Sequence, residues 1–456
     1  MTLKKYDSAS DEIYSLTQLC KENSSVNPNL YPLYDVKRGL RDANGKGVLT
    51  GLTTVSDVRQ YEIKDGERVP GDGKLFYRGI NVEDIVDGAM KEGRFAFEET
   101  IFLLVFGKMP TRDELSEFRK MIYSNYELPR HFVRDVVMNA PPEDMMNSLS
   151  RCVLSLYSYD ERANDISVEN VLRQCIQLTS QLPELAIYCY HAYQDYTHKG
   201  PLYIAKPRKS YSIAENMLYM LRPSGLFTEL EARVLDSALI LHAEHGGGNN
   251  STFTMRVVTS SGSDTYSAFA ASLCSLKGPR HGGANLKVSD MMEDIKENVS
   301  DWADDEEITA YLRKILDKQA FDHTGLIYGI GHAVYTLSDP RAVIFKRFVS
   351  ELSGAKGREK EFELYNKVER IAPVLLSEKS SVYKPLSANV DFYSGFAYRM
   401  LGLPRQLYTP LFAAARMAGW SAHRLEELIN SSKIIRPAYM SVSEEKQYIP
   451  IGDRKE

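Results

Sequence analysis

Three histidines, an arginine and an aspartate stand in short Gly-, Asn- or Pro-marked stretches of one helix-patterned part of this chain. They are His245 in HAEHGGGNN, His281 in KGPRHGGAN, His332 in GIGHAVY, Arg341 in DPRA and Asp391 in ANVDFYSG. Imidazole and carboxylate groups move protons near neutral pH, and glycines let backbone and ligand approach closely. Arg341, Arg416 and Arg436 are ordinary surface arginines if taken singly; as a set they suit a polycarboxylate, because guanidinium pairs bidentately with carboxylate. Asp391 has a plain structural use as the cap of the helix after it. Held beside apolar Val390 and Phe392, its carboxyl would instead have a raised pKa suited to a base. His281 precedes a helix whose positive end disfavours imidazolium, which leaves a neutral ring able to donate to a carbonyl. His242 and His245 share one helix face at metal-ligand spacing. HExxH is absent, however, and no third ligand stands nearby, so no metal is expected.

These side chains need elements to hold them. Residues 1–35 suggest one or two helices around a Ser/Asn/Pro loop. From Gly47 to Gly79 the chain is rich in Val, Thr and Tyr and broken by Asp-Gly and Pro-Gly, which predicts a small β-meander. After Val82 the pattern is helical. Thr228–Glu231 reads as a capping box for a helix that stops at the glycines 246–248. Asp264 caps a small-residue helix running through Leu276 to a stop at Gly278-Pro279. Asp339-Pro340-Arg341 supplies an N-cap, a Pro at the first helical position, and Arg341 in the first turn. A helix follows Asp391 as far as Gly402, and another, carrying Arg416, starts at Thr409-Pro410.

The composition, 43% hydrophobic and 26% charged, is that of a globular protein. A net charge of −5 gives no basic field for nucleic acid. No stretch reaches the roughly 20 apolar residues of a membrane span, and the N-terminal sequence lacks a signal core. The five cysteines form no CxxC pair, which points to a reducing cytoplasm.

The order of the motifs adds what none carries alone. HxxH followed by GGGN, then GPRHGGAN, then GIGH with Arg341 nine residues on, then NVDFYSG, resembles the citrate synthase family. The resemblance runs from VPGDGKLFYRG, which looks like the family's PxxGxLxYRG, to IIRPAY at 434–439. It implies a mainly α, two-domain multi-helical fold with a small N-terminal β-meander (about 47–79). The large helical domain would span 1–281 and a small mobile domain 282–396, with 397–456 returning to the large domain and ending in a C-terminal arm.

The implied activity is a transferase reaction of the tricarboxylic acid cycle: acetyl-CoA, oxaloacetate and water give citrate and CoA. The alternative is 2-methylcitrate synthase, which takes propionyl-CoA; one methylene is worth only about 1–3 kcal/mol of discrimination. By the same resemblance Asp391 is the base on the acetyl methyl, His281 the donor to the thioester oxygen, and His332 the group that polarises the oxaloacetate ketone. His245, Arg341 and Arg416 bind the oxaloacetate carboxylates. Arg436 reaches the neighbouring site of a homodimer. Gly325, Leu326, Ile327, Gly329 and Gly331 form the CoA loop, with Lys379 and Lys384 available for phosphate. No cofactor is implied. Two positions depart from the common family pattern: Gly246 stands where many members have Glu, and Thr336 where many have Lys or Arg.

Overall fold

The computed structural model describes residues 11–42, 46–64, 67–331, 335, 337–379, 386–430 and 433–454. His332, Thr336 and Lys384 lie outside the described residues, as does the Asp65-Gly66 turn. Two compact units are present, Thr53–Ile435 and the paired terminal segments Met1–Leu52 and Arg436–Glu456. The terminal unit contains helices α1 (Asp11–Ser24) and α2 (Leu30–Leu33) and a bridge between Arg41 and Gly47. Arg436 belongs to this unit and is exposed.

The larger unit opens with strands β1 (Ser56–Lys64), β2 (Glu67–Tyr77) and β3 (Ile80–Asn81), an antiparallel meander in the order β1-β2-β3. It begins later than the sequence suggests, and Pro70-Gly71 does not end a strand. The register instead slips between Arg59 and Tyr61, opposite the Pro70–Lys74 stretch. A bulge absorbs the extra residues and the proline that cannot donate to the ladder. The bulge brings Gly73 against the segment before Arg341. A Cβ on Gly73 would lie 2.2 Å from the Ser338 carbonyl oxygen and 2.6 Å from the Tyr335 ring. The Gly73 N–H donates to Ser338 Oγ at 3.2 Å. The β-meander therefore braces the arginine loop.

Helices follow in order: α3 (Val82–Lys91), α4 (Phe97–Phe106), α5 (Arg112–Ser124), α6 (Met145–Leu156), α7 (Val168–Tyr196), α8 (Ile213–Leu221), α9 (Glu229–His242), α10 (Asn250–Ser260) and α11 (Thr265–Lys277). They continue with α12 (Ala284–Asn298), α13 (Asp305–Leu316), α14 (Pro340–Ala355), α15 (Glu359–Lys379), α16 (Val390–Met400) and α17 (Tyr408–Asn430). None of the described helices is long and apolar enough to cross a membrane. The two long helices α7 and α17 pack on each other, with α9, α10 and α4 also against α17. Small residues (Ala413, Ala414, Ala415, Ala418, Gly419, Ala422) let α17 lie close to its neighbours, and almost all of it is buried. In α12–α16, α12 and α14 pack on α16, and α13 on α15.

Local signals place the helix starts. Thr228 and Glu231 close a reciprocal capping box on α9. Asp264 caps α11, and Asp339 caps α14 with Pro340 in its first turn. At α16 the cap is Asn389, whose side chain accepts from the Asp391 N–H at 3.0 Å. Asp391 thus sits inside the first turn with its carboxylate free of capping duty. α9 stops at His242, short of the glycines, and 246–248 form the turn into α10.

Candidate active site

Asp391, the aspartate singled out by the sequence, stands in the first turn of α16. The Gly325–Gly331 loop and the strand-like residues before α16 hold it in place. Ile330 bridges Ala388, the Gly331 N–H donates to the Ser387 carbonyl at 2.7 Å, and the Asn389 N–H donates to the Gly329 carbonyl at 2.9 Å. Asn389 Nδ2 adds a bond to the Gly331 carbonyl. Gly329 has φ +80°, and a Cβ there would lie 2.8 Å from Val288 and 2.9 Å from the Phe392 ring, so only glycine fits. Asp391 keeps a partly accessible face but is surrounded by protein. Burial pushes its carboxyl up to about 6, opposed by the Arg341 and Arg416 charges and reinforced by Asp339.

Arg341 is buried and held bidentately by its own helix cap, Nε to Asp339 Oδ1 at 3.0 Å and Nη2 to Oδ2 at 2.8 Å. Asp339 Oδ2 also accepts from the Val390 N–H, tying the arginine to the start of α16. The Tyr335 ring lies 5.9 Å from the Arg341 guanidinium carbon and 5.5 Å, edge-on, from the buried ring of His245.

Arg416 is fully buried on α17, its Nε donating to the His242 carbonyl at 2.7 Å and its head 4.7 Å from the Phe412 ring. Its Nη1 and Nη2 are buried and make no hydrogen bond among the described residues. Burial pulls the guanidinium down to about 10, with Glu244 as the foremost opposing charge. It remains a cation at neutral pH.

His281 lies in the turn before α12, and its Nε2 is 3.0 Å from Ser251 Oγ on α10. Burial, with the Arg416 charge second, pushes the imidazole down to about 4. Burial and the neighbouring cation both favour the neutral ring. His242 is buried, its Nε2 2.9 Å from the Tyr398 hydroxyl and its ring tilted on Phe412. Among the described residues, no three of His, Cys, Asp or Glu gather where they could hold a metal.

In the loop proposed for CoA, Gly325, Gly329 and Gly331 all have positive φ; Leu326 is exposed, whereas Ile327 points into the core. Lys379 Nζ is engaged by the Leu316 carbonyl and the Asp317 carboxylate at the end of α13.

The chain from residue 43 to 438 matches the family model described as "Citrate synthase, C-terminal domain". The chain belongs to the citrate synthase family. It is 34% identical over 394 residues to the citrate synthase of Synechocystis sp., covering 84% of this chain and 89% of that one. It is 33% identical over 426 residues to the citrate synthase of Haloferax volcanii, covering 92% and 99%. The 2-methylcitrate synthase of Shewanella oneidensis is 32% identical over 425 residues, covering 92% and 100%. The solved citrate synthase of Pyrobaculum aerophilum superposes with a TM-score of 0.73 at 29% identity, covering 91% and 95%. A ternary complex of the Thermoplasma acidophilum citrate synthase with carboxymethyl coenzyme A and oxaloacetate superposes with a TM-score of 0.72 at 26% identity, covering 89% and 97%. The mainly α citrate synthase fold and the enzyme class, an acyltransferase that forms a carbon–carbon bond, follow from these matches.

Within this citrate synthase framework the sequence reading missed several polar residues around the site. Asp339 appeared only as a cap, Ser251 and Tyr335 not at all. Glu244 lies unmarked between His242 and His245, yet it is fully buried. The departure at Gly246 has a local reason: its φ is +89° and its N–H donates to Glu244 Oε1 at 2.6 Å. A side chain such as Glu would be strained there and would meet Val58 at 3.3 Å.

Proposed function

We propose that this protein condenses acetyl-CoA with oxaloacetate and water to give citrate and free CoA. One observation carries the reading: Arg416 presents two buried guanidinium nitrogens without hydrogen-bond partners among the described residues, in the same electrostatic neighbourhood as Asp391. Buried cationic donors of this kind call for an anionic ligand, and a dicarboxylate supplies one. Arg416, Arg341 and His245 hold the oxaloacetate carboxylates, and His332 polarises the ketone. Asp391 takes a proton from the acetyl methyl while neutral His281 donates a hydrogen bond to the thioester oxygen. The resulting carbon nucleophile attacks the ketone carbon, whose oxygen takes a proton from His332. Water then cleaves the thioester and releases CoA.

A carboxylate can ionise so weak a carbon acid only where the developing oxyanion meets a preorganised donor. The Gly325–Gly331 loop takes the CoA adenine, with Leu326 and Ile327 between its glycines. Lys379 or Lys384 would meet phosphate, Lys379 only after leaving the end of α13. Residues 282–396 close on 1–281 to keep water out until the new bond forms. The working form is a cytoplasmic homodimer in which Arg436 completes the neighbouring site. The exposure of Tyr439 (96%), Tyr448 (82%) and Ile451 (80%) in the C-terminal arm supports that assembly. Propionyl-CoA is the competing acyl donor, because relatives of both names match at similar identity. Thiol release with oxaloacetate against an acyl-CoA panel tests the choice: kcat/KM is expected to favour acetyl-CoA, and a propionyl preference would reassign the substrate.

A further inference from the structure

A buried charged network lies behind the substrate side chains and plays no part in the reaction just described. Glu244 is fully buried in the turn after α9. Its Oε1 accepts from Ser56 Oγ at 2.9 Å, from the Gly246 N–H at 2.6 Å and from His423 Nε2 at 2.9 Å. On the far edge of that ring, Nδ1 lies 2.7 Å from Arg256 Nη2. A guanidinium can only donate, so Nδ1 is the acceptor and the proton sits on Nε2, aimed at Glu244. Arg256 is fixed in turn by Glu427 at 2.8 Å and by Glu426. Glu426 also accepts from Thr53 Oγ1 and the Thr54 N–H, so the network reaches the lead-in to β1.

Helical spacing puts Arg416, Gly419 and His423 on one stripe of α17, facing that turn. A Cβ on Gly419 would lie 2.5 Å from the Ala243 carbonyl oxygen and 2.2 Å from Glu244 Oε2. The Gly419 N–H donates to Ala243 at 3.1 Å, and Gly247 packs against the His423 ring. The turn carrying His245 is thus clamped between α17 and the sheet by one carboxylate, and that carboxylate is the foremost charge balancing Arg416. Holding a carboxylate in a water-free position is costly unless every contact orients it, and His423 supplies the contact that reaches it from α17.

We propose that His423 is a positioning residue: as the Nε2–H tautomer it fixes Glu244, and through it the His245 turn and the Arg416 guanidinium, in the geometry that receives the dicarboxylate. This rests on the reading of Arg416 and His245 as oxaloacetate ligands. The test is steady-state kinetics on the full-length protein, varying oxaloacetate and acetyl-CoA separately, with melting followed alongside. His423→Ala is expected to raise the oxaloacetate KM at least tenfold while the acetyl-CoA KM stays within about twofold. His423→Gln, whose amide still offers an N–H to Glu244, is expected to recover most of the loss. Should His423→Ala not fold, Ser56→Ala removes another donor to the same oxygen, with an expected oxaloacetate KM rise of about two- to tenfold. A folded His423→Ala or Ser56→Ala protein with an unchanged oxaloacetate KM overturns the proposal, and so does equal loss in His423→Ala and His423→Gln. Failure of the underlying reading looks different: Arg416→Ala would then leave the oxaloacetate KM unchanged.

Discussion

Asp391 shows what burial does to a single carboxylate. Its folded pKa of about 6 lies above the ordinary 3.8, so it is protonated, and useless as a base, below about pH 6. The acid limb of kcat/KM is therefore expected to bend near pH 6 and fall about tenfold per unit below it. A bend near pH 4 would contradict this. His281, pushed down to about 4, stays neutral from pH 5 upward and adds no inflection there. The same shift has a stability sign. Because the folded pKa exceeds the unfolded one, the ionised form costs the fold above pH 6, by roughly 1–3 kcal/mol. Asp391→Asn is expected to melt higher than the parent at pH 8, with the gap closing as pH falls through 6 towards 4; an equal gap at both pH values would count against it. Arg416→Ala is expected to raise the oxaloacetate KM about 10- to 100-fold, the scale of hydrogen bonds to a charged group. At this scale the sequence displayed residue types but not partners. Asp391, Arg341 and His281 stood out by their motifs, whereas the bonds joining Asp339 to Val390 and Glu244 to His423 span 51 and 179 positions along the chain.

Elements explain why those contacts form. Caps were legible because they are local: Thr228, Asp264 and Asp339 each cap the helix their sequence suggests. The start of α16 was less so: Asp391 was the cap the sequence suggested, whereas Asn389 caps the helix and is held by the loop it meets at Gly329 and Gly331. The sheet was found by composition, but its bulge at Pro70–Gly73 answers to the arginine loop packed on it, a tertiary demand with no local signal. Gly419 is the sharpest test of element packing. Adding one methyl forces it against the Ala243 carbonyl, and Gly419→Ala is expected to cost about 1–3 kcal/mol from overpacking despite the higher helix propensity of alanine. Thermal unfolding checks this, and a raised melting temperature would mean that the close approach of α17 to the α9 turn is relaxed in solution.

For the molecule as a whole, the order of motifs carried the family, and the fold and relatives agree with it. The assembly has a test of its own. If Arg436 serves the neighbouring subunit, refolding an equal mixture of Asp391→Ala and Arg436→Ala chains is expected to recover up to about a quarter of the native sites, because mixed dimers contain one intact site. No recovery would place Arg436 in its own chain's site or outside any site. The reaction itself is tested most directly by oxaloacetate-dependent release of CoA thiol from acetyl-CoA, comparing the native protein with Asp391→Ala. The native enzyme should release thiol only when oxaloacetate is present, and the variant should be slower by about 100- to 10,000-fold, the usual worth of a positioned base. Near-native thiol release from folded Asp391→Ala would contradict the assignment of the base and, with it, the proposed chemistry.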